Sequence, residues 1–547
     1  MMRTLVLLAV LLPVVAAAQF PIGSRNITFT DPSRGGRQIP CEVYYPAVTA
    51  GNNTAVAAGS FPLLSFGHGF AMGVNAYYNL RDAFVPEGYI LVLPTTEGGL
   101  LPAPSHGDFG LDLAFVIAEM QGEGADPNSP FFGHVASTAA VMGHSMGGGA
   151  SFLAAAGSPL VATVVNYAPA ETNPSAIAAA GSVQVPVLVL AGSQDCVTPP
   201  ASNQLPMYNA VPSGCKAYVE LTGGGHCNFA NSNFNCSFGE LTCGGAGSLG
   251  RPAQQSLAQQ YTLLWLDRYL KDDAQAGADL EALLLAGQGI TAQSVFTDCP
   301  PIVVRVEAKV LLDGPYDEQT DLMADSLRVQ GLLPTAEPNT AAGFTHVGPG
   351  AGEPLDPALL SISGPDAVVD WVFLELRDAA TGTQVLATAN GLVQRDGDVV
   401  SPQGGPVVFE ADPGNYRLVA RHRNHLGVMT DAAFTLSRDP IPVDLSDPGL
   451  ATFGTDARRL RDGKALLWAG NAVFDNELRY TGAANDRDAM LQRIGGVVPT
   501  ATVGGYWVED VTLDGLVRYT GAGNDRDRLL LGIGGAVPTA VRVEQLP

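Results

Sequence analysis

The chain has 547 residues, of which 46% are hydrophobic and 15% are charged, and its formal net charge at pH 7 is −24. The apolar fraction favours a globular protein over a disordered one, and the length predicts more than one domain. The acidic field repels phosphate backbones and anionic membrane surfaces, so nucleic acid is not an expected partner.

The first 18 residues have the three parts of a secretory signal peptide. Arg3 supplies the basic region, residues 5–15 form the apolar region, and three alanines precede the cleavage site. The apolar region is too short to span a bilayer comfortably, and no other stretch approaches its length, so no membrane span is predicted. We therefore expect a mature chain from Gln19 that is secreted or held at the cell surface.

Short apolar strands alternate with helical patterns from residue 20 to about residue 273. The predicted strands cover residues 43–45, 63–66, 90–93, 139–142, 161–165 and 185–190, and the predicted helices cover residues 111–120, 148–156 and 259–270. This alternation predicts an α/β fold, with a mostly parallel sheet that binds ligands at the carboxyl ends of its strands. Residues 274–299 show a helical patch and then a loop, so we predict a first globular domain of residues 19–298.

Residues 143–147 read G-H-S-M-G and join a predicted strand to a helix rich in small residues. This pattern in this setting is typical of a nucleophilic serine held on a tight turn, where only glycine fits on either side. A Gly-rich chain also produces the pattern by chance, so the alternative is a structural glycine turn. The flanking strand and helix favour Ser145 as a nucleophile.

A serine becomes reactive when a histidine takes its proton and a carboxylate orients that histidine. In hydrolases built on such a sheet the chain order is serine, acid, histidine. Asp195 follows the predicted strand 185–190, and His226 follows in a glycine-rich loop before the last long helix. Each alone could be a surface residue, but their order and placement predict a triad with Ser145.

Two backbone amides are expected to stabilise the oxyanion that forms when a serine attacks an acyl group. Met146 directly follows the serine, and Phe70 lies in the turn G-H-G-F after the predicted strand 63–66. We predict these two amides as the oxyanion hole, with an ordinary strand-to-loop turn as the alternative for Phe70. His68 in the same turn is predicted to be structural rather than a second base.

Seven cysteines fit an oxidising compartment, and the odd number leaves at least one thiol unpaired or bonded to another molecule. Five of them lie between residues 196 and 243, close to the predicted acid and base. A disulfide within this group would fix two catalytic loops, although the sequence does not give the connectivity. No C-x-x-C pair occurs, which argues against a zinc site.

The pattern of apolar residues changes after residue 299. Predicted strands of alternating pattern cover residues 302–312, 367–376, 385–392, 407–410, 416–420 and 433–436. We predict a β-sandwich-like region of residues 299–445. In the remaining tail, residues 446–547, the segment 479–488 returns as 518–527 after 39 residues. A fixed period indicates a duplicated unit.

Four motifs resemble the chlorophyllase, dienelactone-hydrolase and bacterial cutinase group. They are H-G-F at 68–70, G-H-S-M-G-G-G at 143–149, G-S-Q-D at 192–195 and G-G-H at 224–226. The methionine after the serine and the glycine run resemble the polyester-hydrolase branch in particular. The resemblance covers residues 20 to about 273 and implies an α/β-hydrolase fold with no metal cofactor for catalysis. It also implies cleavage of carboxylic esters, including polymeric ones, through an acyl-enzyme on Ser145.

The chain departs from that branch at two places. Polyester hydrolases carry an aromatic clamp after the strand that follows the nucleophile helix, whereas residues 168–171 contain no tryptophan. Cys196 and Cys227 are shifted relative to the family's disulfide between the acid and base loops. The predicted substrate contacts are Phe70, Tyr77, Tyr78 and His144. Tyr77 and Tyr78 would replace the missing aromatic surface, with packing against the sheet as the alternative.

Residues 510–515 place oxygen-bearing side chains at alternate positions before a glycine, as calcium loops do. Two such half-sites in tandem resemble a dockerin, and the tail with its β-rich segment resembles C-terminal modules of secreted bacterial proteins. The predicted calcium ligands of the second copy are Asp510, Thr512, Asp514, Leu516, Asn524 and Asp527, and the first copy keeps Asn471, Asp475 and Asp488. The alternative is a surface turn rich in Asp and Gly. The resemblance also predicts a cell-surface or scaffold partner.

Together these features predict a secreted serine carboxylesterase of the cutinase type, with a C-terminal region that docks or anchors it. One alternative is a phospholipase or peptidase on the same fold, which the fold and triad leave open. Another is a non-catalytic surface binding protein. The complete set of serine, acid and histidine argues against that second alternative, because a scaffold needs none of them.

Overall fold

The computed structural model describes residues 19–245 and 247–547. The predicted signal peptide, residues 1–18, lies outside the described residues. The chain divides into two compact units, residues 1–300 and 301–547. Within the described residues, no helix combines the length and the apolar character that crossing a membrane requires.

The first unit is built on one sheet of ten described strands. In chain order they are β1 (Ile22–Asp31), β2 (Arg37–Pro46), β3 (Gly51–Asn52), β4 (Phe61–Gly67), β5 (Ile90–Pro94), β6 (Val135–His144), β7 (Thr163–Tyr167), β8 (Val187–Gly192), β9 (Cys215–Leu221) and β10 (Ile290–Phe296). Their order across the sheet is β10-β9-β8-β7-β6-β4-β5-β2-β1-β3. Strands β4 to β9 run parallel, and antiparallel β2 and β10 flank them. The prediction of a mostly parallel sheet is confirmed.

Helices cover both faces of this sheet. They are α1 (Tyr78–Phe84), α2 (His106–Ala125), α3 (Met146–Gly157), α4 (Ala176–Ala180), α5 (Gln204–Ala210), α6 (Phe234–Leu241), α7 (Arg251–Leu270) and α8 (Ala274–Ala286), with 3-10 turns at Pro32–Arg34, Val74–Tyr77 and Cys227–Phe229. One core packs α2 to α5 against one face of the sheet. A second core packs α1, α7 and α8 against the other face. The central strands are therefore apolar on both sides, as strands buried in parallel sheets are.

The structure corrects the prediction for residues 274–299, which were expected to form a helix and then a loop. Residues 290–296 of that segment form β10, which pairs with β9 along its whole length. Most side chains of β10 are exposed or half-buried, so no alternating apolar pattern marks this edge strand in the sequence. Its partner β9 thereby becomes a central strand of the sheet.

The second unit is β-rich, as predicted. In chain order its strands are β11 (Val304–Lys309), β12 (Tyr316–Asp317), β13 (Leu322–Met323), β14 (Val368–Asp378), β15 (Val385–Gln394), β16 (Asp398–Val400), β17 (Val407–Phe409), β18 (Gly414–His422), β19 (His425–Met429), β20 (Phe434–Leu436), β21 (Ile441–Asp444), β22 (Arg459–Arg461), β23 (Lys464–Leu466), β24 (Glu477–Arg479), β25 (Thr502–Gly504), β26 (Leu516–Arg518) and β27 (Val541–Val543). Among the described strands, β11 and β14 to β21 share one branched sheet. The finer prediction of a β-sandwich-like arrangement stays a prediction.

Short helices complete the second unit. They are α9 (Ser326–Val329), α10 (Asn339–Ala342), α11 (Asp486–Arg493) and α12 (Asp525–Gly532), with a 3-10 turn at Pro357–Ser361. The sequence repeat of the tail is also a structural repeat, because β24 and α11 return as β26 and α12 at the same 39-residue offset. Leu466, Leu467 and Leu513 of the tail pack into the core beneath the branched sheet. The predicted division between residues 299–445 and residues 446–547 stays a prediction. Both segments contribute side chains to the core beneath the branched sheet.

Candidate active site

Ser145 lies on the sharp turn between the end of β6 and the start of α3. Its backbone angles are φ 55° and ψ −119°, a strained conformation for a residue with a side chain. The neighbouring backbone leaves no space for other side chains. A Cβ on Gly147 would lie 2.1 Å from the Gly67 carbonyl oxygen, and one on Gly143 would lie 2.2 Å from the Gly147 carbonyl oxygen. The glycines of the motif are therefore required by close packing.

The loops that carry the predicted site residues leave the same edge of the sheet. In the parallel register, Gly67 of β4 pairs with Gly143 of β6, so the Phe70 turn and the Ser145 turn start side by side. Gly192 at the end of β8 likewise pairs with Leu221 at the end of β9. Carboxyl ends of neighbouring parallel strands are where ligands bind in such sheets.

Asp195 and His226 form a buried hydrogen-bonded pair. His226 Nδ1 lies 2.7 Å from Asp195 Oδ2, and the two side chains are 3% and 0% exposed. The other carboxylate oxygen of Asp195 accepts the backbone N–H groups of Val197 and Thr198 at 2.9 and 2.8 Å. The Thr198 hydroxyl donates to Asp195 Oδ2 at 2.9 Å. A carboxylate held by three donors at its own turn is a fixed acceptor, so it can fix the orientation of the imidazole.

His144 packs its ring against the ring of His226 and next to Ser145. The ring centroids are 4.7 Å apart, and His144 Nε2 lies 3.0 Å from the His226 carbonyl oxygen. A carbonyl only accepts, so Nε2 carries the proton and Nδ1 is free to accept. Burial, together with the nearby His226, lowers the pKa of His144 well below its usual value. His144 is thus a neutral residue that holds the backbone of His226 beside the serine.

Tyr77 continues this chain of hydrogen bonds to the Phe70 turn. Its hydroxyl lies 2.9 Å from His144 Nδ1 and accepts the backbone N–H of Gly69 at 2.8 Å. A Cβ on Gly69 would lie 3.1 Å from that hydroxyl and 2.8 Å from the sulfur of Met72, so glycine fits best here. The turn before Phe70, the serine turn and the histidine loop are thereby joined through Tyr77 and His144.

The two predicted oxyanion amides are placed on turns at this edge. Phe70 lies in the turn after β4 and is half exposed, whereas Met146 is the buried first residue of α3. Within residues 19–245 and 247–547, neither backbone N–H donates a hydrogen bond to a protein acceptor. These two amides, on neighbouring turns at the same edge of the sheet, have no protein acceptor among the described residues and are available to an incoming oxygen.

The predicted substrate contacts need correction at Tyr77 and His144. Both side chains are almost completely buried, and both use their polar atoms within the protein. They support the site from beneath rather than lining it. Tyr78 is half-buried, donates to Glu42 Oε2 at 2.9 Å and lies under the Arg81 guanidinium. Of the four predicted contacts, Phe70 is the one with half of its surface exposed.

Two supporting residues have no signal in the sequence. Thr198 bonds the predicted acid, as described above. Gln254, inside α7, donates to the Gly225 carbonyl oxygen at 2.7 Å and accepts the Gly225 N–H at 3.0 Å. Its side chain is fully buried and fixes the residue directly before His226. A polar residue within an otherwise ordinary helical pattern gives no reason to connect it with a distant loop.

Disulfides stand directly beside the predicted acid and base. Cys196 pairs with Cys243, and Cys227 pairs with Cys236. A third disulfide joins Cys215 to Cys299, and Cys41 is a buried free thiol. The acid and base loops are thus each bonded to the insert 227–243, not to each other as the family resemblance implies.

In the tail loops, the predicted calcium ligands bond to neighbouring groups of the protein. Asp510 accepts the N–H groups of Asp514 and Gly515, and the Asp514 carboxylate pairs with Arg518. Asn524 caps α12 by accepting the N–H of Asp527 at 2.9 Å, and the prediction that these two residues close a metal shell stays a prediction. Asp525, which was not predicted, occupies the loop interior. Among the described residues, no group of three His, Cys, Asp or Glu side chains is arranged to hold a metal ion.

In the first copy of the repeat, the Asn471 side chain donates to the Asp475 carbonyl oxygen and accepts the Asp475 N–H, and Asn485 caps α11 through the N–H of Asp488. Thr512 and Leu516 of the second copy lie in its loop, where the Thr512 hydroxyl donates to Asp525 and the Leu516 N–H donates to Asp514. Calcium binding therefore stays a prediction from the sequence.

Comparison with known proteins finds similarity between the first unit and proteins named as cutinases and ester hydrolases. Residues 15–278 match the family model described as PETase, PET hydrolase-like. The chain is 30% identical over 141 residues to cutinase est1 of Thermobifida alba, which is 26% of this chain and 39% of the relative. It is 31% identical over 140 residues to cutinase 1 of Thermobifida cellulosilytica, which is 25% of this chain and 44% of the relative.

A longer match reaches bis(hydroxyethyl) terephthalate hydrolase of Streptomyces coelicolor, with 25% identity over 234 residues, 43% of this chain and 63% of the relative. The chain thus spans less than two thirds of the length of the curated relatives it matches. These similarities support an ester hydrolase.

Proposed function

We propose that residues 19–300 are a secreted serine carboxylic-ester hydrolase that cleaves its substrate through an acyl-enzyme on Ser145. The observation that carries the proposal is the buried pair of Asp195 and His226, with the His226 loop bonded to the residue before Ser145. The strained serine turn and the similarity to cutinases support it.

The first half-reaction uses His226 as a base and then as an acid. Its Nε2 takes the proton of the Ser145 hydroxyl while the oxygen attacks the acyl carbon of the ester. The carbonyl oxygen becomes an oxyanion and accepts the N–H groups of Phe70 and Met146. The intermediate collapses, the bond to the leaving alcohol breaks, and the alcohol oxygen takes the proton from His226. Asp195 keeps Nδ1 protonated and the ring oriented throughout.

The second half-reaction repeats these proton transfers with water. His226 takes a proton from a water molecule, and the hydroxide attacks the acyl carbon bonded to the Ser145 oxygen. Collapse of this second intermediate returns the proton to Ser145 and releases the carboxylic acid.

The substrate class we propose is a carboxylic ester, including polymeric esters, because the relatives are named as cutinases and a terephthalate-ester hydrolase. The C-terminal unit is proposed to dock or anchor the enzyme at a cell surface or scaffold. A substrate panel of p-nitrophenyl esters, amides, phospholipids and cutin would assign the class. Hydrolysis confined to amides would contradict the ester proposal, and hydrolysis confined to phospholipids would assign the alternative of a phospholipase.

The central test compares the mature chain with Ser145→Ala on p-nitrophenyl butyrate. We expect the substitution to lower kcat/KM by about 10³-fold or more, because the acylated oxygen is lost. Ser158→Ala, at the other end of α3, is the matched control and is expected to keep the wild-type rate. If Ser145→Ala kept more than a tenth of the activity, the acyl-enzyme on Ser145 would be refuted.

A further inference from the structure

The insert between Cys227 and Cys243 forms a helix that is fixed to the candidate site at both ends. The Cys227–Cys236 disulfide joins the first turn of α6 to the residue after His226, and the Cys196–Cys243 disulfide joins its far end to the residue after Asp195. The Asn235 side chain donates to the Ala71 carbonyl oxygen at 2.7 Å, next to Phe70. Helix α6 is therefore held against the acid, base and oxyanion loops together.

The outward face of α6 is apolar. Phe234, Phe238 and Leu241 are spaced by four and three residues and so lie on one side of the helix. Their exposed fractions are 83%, 60% and 78%. The two phenyl rings are stacked, with centroids 6.5 Å apart. Three large apolar side chains exposed together are unusual on a soluble surface, and such patches commonly bind a partner or ligand.

The inward face of α6 carries the groups that hold it. Glu240 is buried, and its carboxylate accepts the Cys227 N–H at 2.8 Å. Glu240 is also the one charged residue in the sequence of the insert, residues 227–243. The outward face is thus uncharged on a chain whose net charge is −24. A face without cations does not attract anionic surfaces. A face without charged groups also loses no ionic hydration when an uncharged surface covers it.

Two exposed apolar residues of the neighbouring loops extend this face. Phe70, beside the Asn235 tether, is 50% exposed, and Val197, which follows Cys196, is 39% exposed. We define the apolar rim as Phe70, Val197, Phe234, Phe238 and Leu241. It is continuous by covalent and hydrogen-bonded contacts with the turns that carry Asp195, His226 and the Phe70 amide.

We propose that the apolar rim is the surface by which the enzyme adsorbs to an uncharged, water-insoluble polyester, an inference that rests on the proposed ester hydrolysis. Adsorption through this rim brings solid substrate to the loops that carry the reacting groups. The two disulfides keep the exposed phenyl groups from collapsing onto the protein. A second copy of the chain seated on the rim would cover the Phe70 turn and keep substrate out. A polyester seated there is itself the substrate, so the polymer fits better than a dimer.

Adsorption is measured on chains that carry Ser145→Ala, so that the result does not depend on catalysis. The amount of protein depleted from solution by polycaprolactone film gives the affinity. We expect Phe234→Ser with Phe238→Ser to weaken binding at least fivefold. Leu285→Ser is the matched control, because Leu285 is 88% exposed on helix α8 of the same unit. It is expected to bind within twofold of the parent.

Several results would overturn the proposal. They are equal loss of film binding in the control and the double variant, no loss in the double variant, and tighter binding to phosphatidylcholine vesicles than to film. A change from dimer to monomer in the double variant, by size-exclusion chromatography, would assign the rim to self-association instead. Leu241→Ser is a second, single test of the same face and is expected to weaken film binding in the same direction.

Turnover separates this proposal from the proposed function. With Ser145 restored, the ratio of film hydrolysis to p-nitrophenyl butyrate hydrolysis is expected to fall at least fivefold in the double variant. An unchanged ratio would overturn the role of the rim while leaving ester hydrolysis standing. Absence of p-nitrophenyl butyrate hydrolysis in the wild type would instead refute the proposed function.

Discussion

Tyr77 joins three loops of the candidate site through one hydroxyl group. It accepts the Gly69 N–H, which fixes the turn before Phe70, and it donates to His144, which holds the His226 backbone. Burial keeps this hydroxyl neutral, since it raises the pKa of Tyr77 above its usual value. The precision of the site therefore depends on a residue that does not meet the substrate.

Removal of this hydroxyl by Tyr77→Phe should impair catalysis more than binding. The change leaves the Gly69 N–H and His144 Nδ1 without partners in a buried place, which costs about 1–3 kcal/mol. We expect kcat for p-nitrophenyl butyrate to fall about tenfold with a smaller change in KM. Tyr89→Phe is the control, because Tyr89 is equally buried and its hydroxyl donates to Asp267 in another part of the unit. A similar loss of kcat in both variants would indicate a general loss of stability.

The sequence indicates the residues of the proposed triad more readily than the residues that support them. Ser145, Asp195 and His226 each follow a recognisable strand, and chain order links them, so a pattern exists. Thr198, Gln254 and the role of Tyr77 depend on contacts across 3 to 67 positions that no local period encodes. The burial of His144 could not be foreseen either, because residues next to a nucleophile face either the cleft or the core.

At the scale of elements, disulfides join the loops of Asp195 and His226 to the insert that carries α6 rather than to each other. The Cys227–Cys236 disulfide and the Glu240 carboxylate both hold the residue after His226. Helix α6 itself has little apolar contact with the core, because its apolar residues point outward. Its position therefore comes from covalent bonds and polar contacts.

Loss of that disulfide should reduce activity. We expect Cys227→Ser with Cys236→Ser to lower kcat/KM for p-nitrophenyl butyrate at least fivefold and to expose α6 to chymotrypsin at its phenylalanines. The matched control is Cys215→Ser with Cys299→Ser, which removes a disulfide that does not adjoin the acid or base. That control should lower thermal stability but keep kcat. Full activity with rapid cleavage of α6 would show that the loop holds His226 without the helix.

Edge strand β10 and helix α6 were not predicted from the sequence, and the physical reason is the same for both. Both are half-exposed elements stabilised by long-range partners: backbone pairing to β9 for one and disulfides for the other. The central strands were predicted because burial on both faces makes them continuously apolar. The duplicated tail was predicted as a repeat because its period is in the sequence, yet the strand pairing is not.

The two copies of the tail close on each other reciprocally. Strand β24 of the first copy pairs with β27 after the second, and β26 of the second copy pairs with β25 after the first. Thr481 and Thr520, equivalent in the repeat, donate to the equivalent carbonyls of Pro538 and Pro499, each at 2.9 Å. Neither copy completes its sheet alone, so the repeat folds as one unit.

Because of buried carboxylates within these loops, the stability of the tail should depend on pH. Burial raises the pKa of Asp525 to about 7, and burial also raises the pKa of Asp510 to about 6. A carboxyl whose folded pKa is above its unfolded value stabilises the fold when protonated. This contribution is lost as pH rises from about 4, the usual pKa of an aspartate, to about 7.

Asp525→Asn removes this titration and is the test. His422 and His425, whose pKa values burial lowers, act in the opposite direction over the same range, so wild type and variant are compared at each pH. When pH is lowered from 8 to 5, the free energy of unfolding of the wild type should rise by about 2 kcal/mol relative to that of Asp525→Asn. Calorimetric unfolding of both chains at the two pH values measures this. A difference that does not change with pH would refute the buried, titrating Asp525.

At the scale of the whole molecule, a buried charge cluster joins the branched sheet to the tail within the second unit. Asp370 on β14 accepts the Tyr506 hydroxyl of the tail at 2.6 Å and the Arg423 guanidinium at 3.0 Å. Burial opposes ionisation of Asp370, but Arg423 and His422 outweigh it and lower its pKa to about 2. Such a pair is costly to break from one side. The tail and the sheet are therefore expected to unfold together.

The first compact unit extends to Pro300 and so includes Cys299, which lies just after the predicted domain end at residue 298 and is joined to this unit by a disulfide. Cys299 pairs with Cys215 at the start of β9, and the Tyr269 hydroxyl lies beside both sulfur atoms. The sequence predicts a boundary at this cysteine because the pattern of apolar residues changes after residue 299. A chain cut at residue 298 thus loses a crosslink that closes a loop of 84 residues.

A fragment of residues 19–300 should therefore be more stable than one of residues 19–298. A crosslink of this span contributes about 2–4 kcal/mol, which corresponds to roughly 5–10 °C in Tm for a unit of this size. Both fragments should hydrolyse p-nitrophenyl butyrate at 25 °C, because the disulfide adjoins neither Asp195 nor His226. Cys215→Ser within the longer fragment should reproduce the lower Tm, which separates the crosslink from the two extra residues. Equal Tm values for the two fragments would mean that the crosslink adds nothing to this unit.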